Sequence, residues 1–313
     1  MGKTALVFPG QGAQSVGMGH DAFLADERAK ACFEQADQLL GYALSELAFN
    51  GPDEQLKLTY NTQPALLVTS IAYYEAAQSA GITADYVAGH SLGEYTALVA
   101  AGVLSFADAV KIVRKRGEFM DEAVPAGQGA MAAALGAERA NLTALCAEIT
   151  SSGSPVELAN VNCPGQIVVS GSKEGVAAVV ERGKEAGAKR VIPLEVSGPF
   201  HSSLMKPAAA RLSEVLDGAT WSNAAIPVVA NVNAAPQTDA ATIRGLLVEQ
   251  VYSPVLWEDS VRRMIDDGVD TFLEIGPGSV LAGLIKKTNR DVRCVSLNSL
   301  QAIEAWSKEG LHA

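Results

Sequence analysis

Val87-Ala88-Gly89-His90-Ser91-Leu92-Gly93-Glu94-Tyr95 places a G-x-S-x-G pattern between a strand-like apolar run and a helix-like one. That context is the one a nucleophile elbow requires, in which a serine sits on a tight strand-to-helix turn at the top of an α/β sheet. The flanking glycines relieve crowding in the turn, and the following backbone N–H, that of Leu92, is free to serve an oxyanion. A chance match in a glycine-rich loop is the alternative. The strand and helix patterns on either side weigh against it.

Outward from the elbow, short apolar runs alternate with helix-period segments, which predicts an α/β protein with a mostly parallel sheet. Strands are expected at Ala5–Phe8, Tyr86–Ala88, Val228–Asn231, Thr271–Ile275 and Arg293–Leu297. A helix from Thr62 to Ser79 is expected to begin on a Thr62 cap, with Pro64 in its first turn and Leu67, Ile71 and Tyr74 on one stripe. Further helices are expected at Leu92–Ala101, Phe106–Glu122, Ser203–Leu216, Ala240–Gln250 and Val280–Lys287, with one more in the tail from Gln301. The middle of the chain runs β-α-β-β-α-β: strands Ala130–Leu135, Val156–Asn160, Gln166–Ser170 and Arg190–Leu194, helices near Ala140–Ile149 and Glu174–Ala186. This is the ferredoxin-like order. Val161 to Gly165 reads as the hairpin loop. The fold class is therefore α/β: a larger parallel-sheet domain, 1–127 and 199–313, with an inserted ferredoxin-like α+β domain, 128–198.

Composition narrows the function. The 313 residues are 48% hydrophobic and 19% charged, with a formal net charge of −11. This is a core-forming chain that lacks the concentrated basic face a nucleic-acid partner needs. The longest charge-free run, Gly218 to Thr238, carries Pro227, Pro236 and several asparagines and does not read as a membrane span. Met1 leads straight into a strand pattern without a secretory signal, and the four cysteines, Cys32, Cys146, Cys163 and Cys294, form neither a CxxC pair nor a metal cluster. They read as reduced thiols of a cytoplasmic protein.

A serine nucleophile needs a base, and the histidines are His20, His90, His201 and His312. His90 adjoins Ser91 and should point away, His312 lies in the tail, and His20 follows a glycine-rich loop. His201 remains, in a strand-to-helix loop after Gly198-Pro199, with a structural histidine as the alternative. Gly10-Gln11-Gly12 after the first strand lacks the full dinucleotide fingerprint. A plain tight turn explains it, though its N–H groups can supply an oxyanion donor. Gly276-Pro277-Gly278-Ser279 likewise reads as a turn, with Ser279 as a helix cap.

Phe8-Pro9-Gly10-Gln11-Gly12, the elbow from Gly89 to Tyr95, Arg116, and Glu274-Ile275-Gly276-Pro277-Gly278 together resemble the malonyl-CoA:acyl carrier protein transacylases of fatty-acid synthesis. Thr62-Gln63-Pro64-Ala65, Asn162-Cys163-Pro164-Gly165-Gln166 and Gln250-Val251-Tyr252-Ser253-Pro254-Val255 extend the resemblance essentially end to end. It implies a hydrolase-like α/β domain with the ferredoxin-like insert, Ser91 as nucleophile, His201 as base, backbone N–H groups of Gln11 and Leu92 for the oxyanion, and a main-chain carbonyl near Gln250 orienting the histidine. It singles out Arg116 as the holder of the malonyl carboxylate; the residues alone leave it one of three cations, Arg114, Lys115 and Arg116, on a helix. Gln63 is a further lining residue. Phe200 stands where the family varies between a bulky aromatic and a small serine, and is expected to favour malonyl over methylmalonyl.

The implied reaction carries malonyl from malonyl-CoA to the phosphopantetheine thiol of holo-acyl carrier protein, with no metal or tightly bound cofactor. The implied assembly is a monomer. Lys189 with Arg190, and Lys286 with Lys287, are candidates for docking an acidic carrier protein. A transacylase of polyketide synthesis, a serine thioesterase or esterase, and a non-catalytic docking protein are the competing classes. Arg116 argues against the esterase, and the combination of Ser91, His201 and Arg116 argues against the docking protein.

Overall fold

Apolar runs too short to make helices build a sheet here because each is followed by a helix that covers it. The computed structural model describes residues 2–310. Strand β1 (Lys3–Phe8) precedes helices α1 (His20–Ala25), α2 (Glu27–Leu40), α3 (Leu44–Asn50), α4 (Asp53–Leu56) and α5 (Thr59–Ser79), then β2 (Tyr86–Gly89), α6 (Leu92–Ala100) and α7 (Phe106–Glu122). Next come β3 (Gly129–Leu135), α8 (Arg139–Ser151), β4 (Val156–Cys163), β5 (Gln166–Ser172), α9 (Lys173–Arg182) and β6 (Arg190–Pro193). The chain continues with α10 (Lys206–Asp217), β7 (Val228–Val229), β8 (Pro236–Gln237), α11 (Ala240–Gln250), α12 (Trp257–Asp266), β9 (Val269–Ile275), α13 (Val280–Thr288), β10 (Arg293–Leu297) and α14 (Leu300–Gly310).

The larger sheet has the order β10-β9-β1-β2-β7-β8, parallel except for the β7–β8 edge. Leu6, Phe8 and Val87 face a core with Leu67 and Leu98 on one side, while Ala5, Val7 and Phe272 meet Trp257 and Leu281 on the other. The smaller sheet, β4-β5-β3-β6, is antiparallel throughout and has α8 and α9 packed on it. The chain is thus an α/β protein with a parallel sheet and a ferredoxin-like unit. Pairing of Val161 with Ile167 and of Cys163 with Gln166 extends β4 into the expected loop, leaving Pro164-Gly165 as the turn, with Gly165 at φ 73°. None of the helices among the described residues is long and apolar enough to cross a membrane, and the four cysteines form no disulfide there.

Several local expectations fail for identifiable reasons. The expected strand Val228–Asn231 ends at Val229, because Asn231 is drawn off to other partners. Helix α5 starts at Thr59, so Pro64 lies inside it; the Thr62 hydroxyl donates to the Leu56 carbonyl instead of capping. A proline there leaves the Tyr60 carbonyl without its helical donor, and Arg114 Nη1 supplies one at 3.2 Å. Helix α5 is also buried on nearly all faces, not on a stripe, since α2, α6 and α7 surround it. Helices α1 to α4 were not anticipated, although Ala29, Phe33 and Ala36 carry the helical period in α2 and Asp26 caps it through Arg28 and Ala29 N–H. Helix α12 was missed too, despite Trp257, Val261 and Met264 at the same spacing.

Ser279 makes no capping bond to α13. Glu274, fully buried at the end of β9, reaches across and accepts from Leu281 N–H at 3.0 Å and Ala282 N–H at 2.9 Å. A carboxylate placed on a helix N-terminus in this way is worth more than an exposed hydroxyl cap. Glu274→Ala is expected to lower unfolding free energy by roughly 2 kcal/mol and Ser279→Ala by less than about 0.5 kcal/mol. Urea titrations of the two variants check the ordering, and equal losses would return the cap to Ser279.

Candidate active site

Parallel strands β1 and β2 end side by side, and the carboxyl ends of such strands are where open α/β sheets present ligands. At the end of β2 the chain turns through Ser91 at φ 52°, ψ −106° before entering α6. The turn is tight enough that a Cβ on Gly93 would lie 2.1 Å from the Phe8 carbonyl oxygen, and one on Gly10 2.3 Å from that of His90. A serine at positive φ is strained, and side chains hold it there. Asn231 Oδ1 accepts from the Ser91 N–H at 2.7 Å, Gln250 Nε2 donates to the Ser91 carbonyl at 3.0 Å, and Asn231 Nδ2 donates to the Gly89 carbonyl at 2.7 Å.

His201, also at positive φ, is 3% exposed. Its Nδ1 is 2.8 Å from the Gln250 main-chain oxygen and its Nε2 2.8 Å from Ser91 Oγ. Donation from Nδ1–H to that carbonyl leaves Nε2 as an acceptor for the serine hydroxyl. Burial first, and the nearby Arg116 charge second, push the His201 pKa down to about 3. The imidazole is therefore neutral at physiological pH.

Arg116 is 1% exposed. Nη1 donates to Gln63 Oε1 at 2.8 Å; Nη2 donates to Gln250 Oε1 at 2.9 Å and to Ser91 Oγ at 3.1 Å. Its Cζ lies 5.4 Å from the Tyr95 ring centre, and Nε has no hydrogen-bond partner among the described residues. No carboxylate forms an ion pair with it among those residues. Burial accordingly pulls its pKa down. Its helix neighbours differ: Arg114 stacks on Tyr60 and bonds Asn61 and Glu118, while Lys115 pairs with Glu118 at the surface.

Gln63, Ser91, Arg116 and His201 line a cavity of about 140 Å³ with Gln11, Leu92 and Phe200, and Met131, Asn160 and Leu194, of and beside the smaller sheet, line it too. The Leu92 and Gln11 N–H groups have no protein acceptor among the described residues. A serine activated by a neutral histidine, with free N–H groups beside it and a buried cation above it, is suited to acyl transfer from an acid-bearing substrate.

The sequence from residue 5 to 308 matches the family model described as "Acyl transferase domain". The chain belongs to the acyl transferase domain family. This acyl transferase is 56% identical to the malonyl CoA-acyl carrier protein transacylase of Bacillus subtilis, over 97% of its own length and 96% of the relative's. The crystal structure of an acyl carrier protein S-malonyltransferase from Vibrio cholerae superposes with a TM-score of 0.95 at 44% identity, covering 97% of this chain and 99% of that one. A malonyl-transacylase in complex with its type II PKS acyl-carrier protein gives 0.95 at 42% identity, covering 98% and 99%.

The acyl transferase brings Ser91, His201, Arg116, Gln63, Gln250, Gln11, Leu92 and Phe200 together. His90 turns away, its Nε2 2.8 Å from Asn162 Oδ1, and His20 stacks on Phe49 at 4.8 Å between ring centres. His312 lies outside the described residues. Of the basic pairs, Lys189, Arg190 and Lys287 are exposed, and Lys286, also exposed, donates to the Val292 carbonyl. Three features escaped sequence reasoning: Asn231, Glu94 and the side chain of Gln250. An acid inside the otherwise apolar run Leu92–Ala100 was the available signal for Glu94.

The depressed His201 pKa fixes the sign of a pH effect. Protonation is disfavoured in the folded protein, so acidification through the ordinary histidine value of 6.5 leaves His201 neutral. In ¹⁵N-histidine NMR spectra the His201 ring is expected to keep one protonated nitrogen down to about pH 5. A midpoint near 6.5 would contradict this environment.

Proposed function

We infer that this protein transfers the malonyl group of malonyl-CoA to the phosphopantetheine thiol of holo-acyl carrier protein, through a malonyl ester on Ser91, in supply of fatty-acid synthesis. The observation that carries the reading is Arg116: a guanidinium sealed from water, held by two neutral amides, one of its N–H groups on the nucleophile itself. Such a charge is costly to bury without an anion, and a planar fork matches a carboxylate through two parallel bonds. The names of the relatives and neighbours agree with this substrate.

His201 Nε2 takes the Ser91 proton as Oγ attacks the thioester carbon. The Leu92 and Gln11 N–H groups hold the oxygen that becomes negative. Collapse expels the coenzyme A sulfur, which takes the proton back from Nε2. Acylation removes the Oγ hydroxyl, and the Arg116 N–H that rested on it turns to the malonyl carboxylate. In the second half His201 takes the proton of the carrier's thiol, the sulfur attacks the ester, and Ser91 leaves with that proton. A main-chain carbonyl orients the histidine in place of an acid. This suffices because the carbonyl, by accepting from Nδ1–H, already fixes the tautomer.

Intact-protein mass after brief mixing with malonyl-CoA is expected to show one malonyl adduct that needs Ser91 and is discharged by holo-carrier protein. Free malonate released without an adduct would point to a hydrolase, and discharge by a polyketide carrier alone to the reading favoured by the complexed neighbour. Arg116→Ala is expected to slow malonyl loading by about 10²-fold or more while changing acetyl loading less than about tenfold. Equal losses would reject the carboxylate assignment. Phe200, 6% exposed in the cavity wall, is expected to exclude a branch, so Phe200→Ser should raise the methylmalonyl-to-malonyl loading ratio; an unchanged ratio rejects that role.

A further inference from the structure

Glu94 is 2% exposed in the first turn of α6, and none of the acyl-transfer steps uses it. Its Oε2 accepts from Gln250 Nε2 at 2.7 Å and from the Asn231 N–H at 3.2 Å. Burial raises its carboxyl pKa to about 7, so the fold bears a real cost to keep an acid at this point. Glu94 determines the direction of an amide.

A glutamine side chain has one donating and one accepting end. In Gln250 the donating end meets Glu94 Oε2 and the Ser91 carbonyl, with Asn231 Oδ1 farther off at 3.5 Å, which leaves Oε1 for Arg116 Nη2. Reversal would set Oε1 against three oxygens and an N–H₂ against a guanidinium. The Ser91 carbonyl is shared with the Glu94 N–H, so the acid makes the stronger claim on the amide. No carboxylate among the described residues bonds Arg116, and its side-chain amide partners are Gln250 and Gln63.

We propose that Glu94 is a positioning residue for acyl-group selection: through the Gln250 amide it fixes the Arg116 guanidinium where an acyl carboxylate can meet it. The inference rests on the assignment of Arg116 to that carboxylate. It separates selection from orientation of the base, because the Gln250 main-chain bond to His201 does not depend on the direction of the side-chain amide.

Single-turnover loading of Ser91 from malonyl-CoA and from acetyl-CoA, read by intact mass, tests the proposal. Glu94→Ala is expected to lower the malonyl-to-acetyl rate ratio by about tenfold or more, with acetyl loading within about threefold of the parent. Glu94→Gln keeps one accepting oxygen for both donors and is expected to hold the ratio within about threefold. Glu94→Asp withdraws the carboxylate by one methylene and carries the test if Glu94→Ala does not fold; its ratio is expected to fall as well. An unchanged ratio in the folded variant, a parallel loss of both loadings, or a Glu94→Gln enzyme as unselective as Glu94→Ala overturns the proposal. A parent protein without malonyl preference overturns the Arg116 assignment, and this inference with it.

Discussion

A guanidinium shut away from water with no acid bonded to it constrains everything around Arg116. Gln63 comes from α5, Gln250 from the end of α11 and Ser91 from the elbow, and each must stay in place to keep hydrogen bonds on a charge that cannot be shed. Gln250 then binds the constraint to catalysis. Its carbonyl holds His201, its amide holds Arg116 and the Ser91 carbonyl, and Glu94 holds the amide. Selectivity and orientation of the base therefore share one residue without sharing one atom.

The two sheets make this arrangement possible in different ways. The larger supplies fixed strand ends at Phe8 and Gly89, where glycines let two turns approach within contact of backbone. The smaller sheet supplies the opposite wall through Met131 and Asn160, so that the cavity lies between units instead of within one. Strain at Ser91 and His201, both at positive φ, is offset by hydrogen bonds that the two residues donate to Asn231 Oδ1 and the Gln250 carbonyl.

Legibility in the sequence followed the range of the interactions. The elbow is local, five residues between a strand and a helix, and it was readable. So was the ferredoxin-like order, because its periodicities lie within short windows. His201 emerged because so few histidines compete. Arg116 was different: in the run Arg114, Lys115, Arg116 nothing local marks which cation faces inward, and resemblance alone distinguished it. Pro64 was assigned to a first turn because no local rule foresees Arg114 supplying the Tyr60 carbonyl from another helix. Glu274 displaced Ser279 as a cap in the same manner, from a neighbouring strand. Asn231 and Glu94 meet Ser91 and Gln250 across |i−j| of 140 and 156, and no single-sequence pattern encodes such pairings.

The most direct measurement is a crystal structure of the protein carrying malonate as an ester on Ser91. The carboxylate is predicted to accept from Nη1 and Nη2 of Arg116, with Gln63 and Gln250 still bonded to the same guanidinium. A carboxylate turned to solvent, with Arg116 unmoved between its two amides, would contradict the account at its centre.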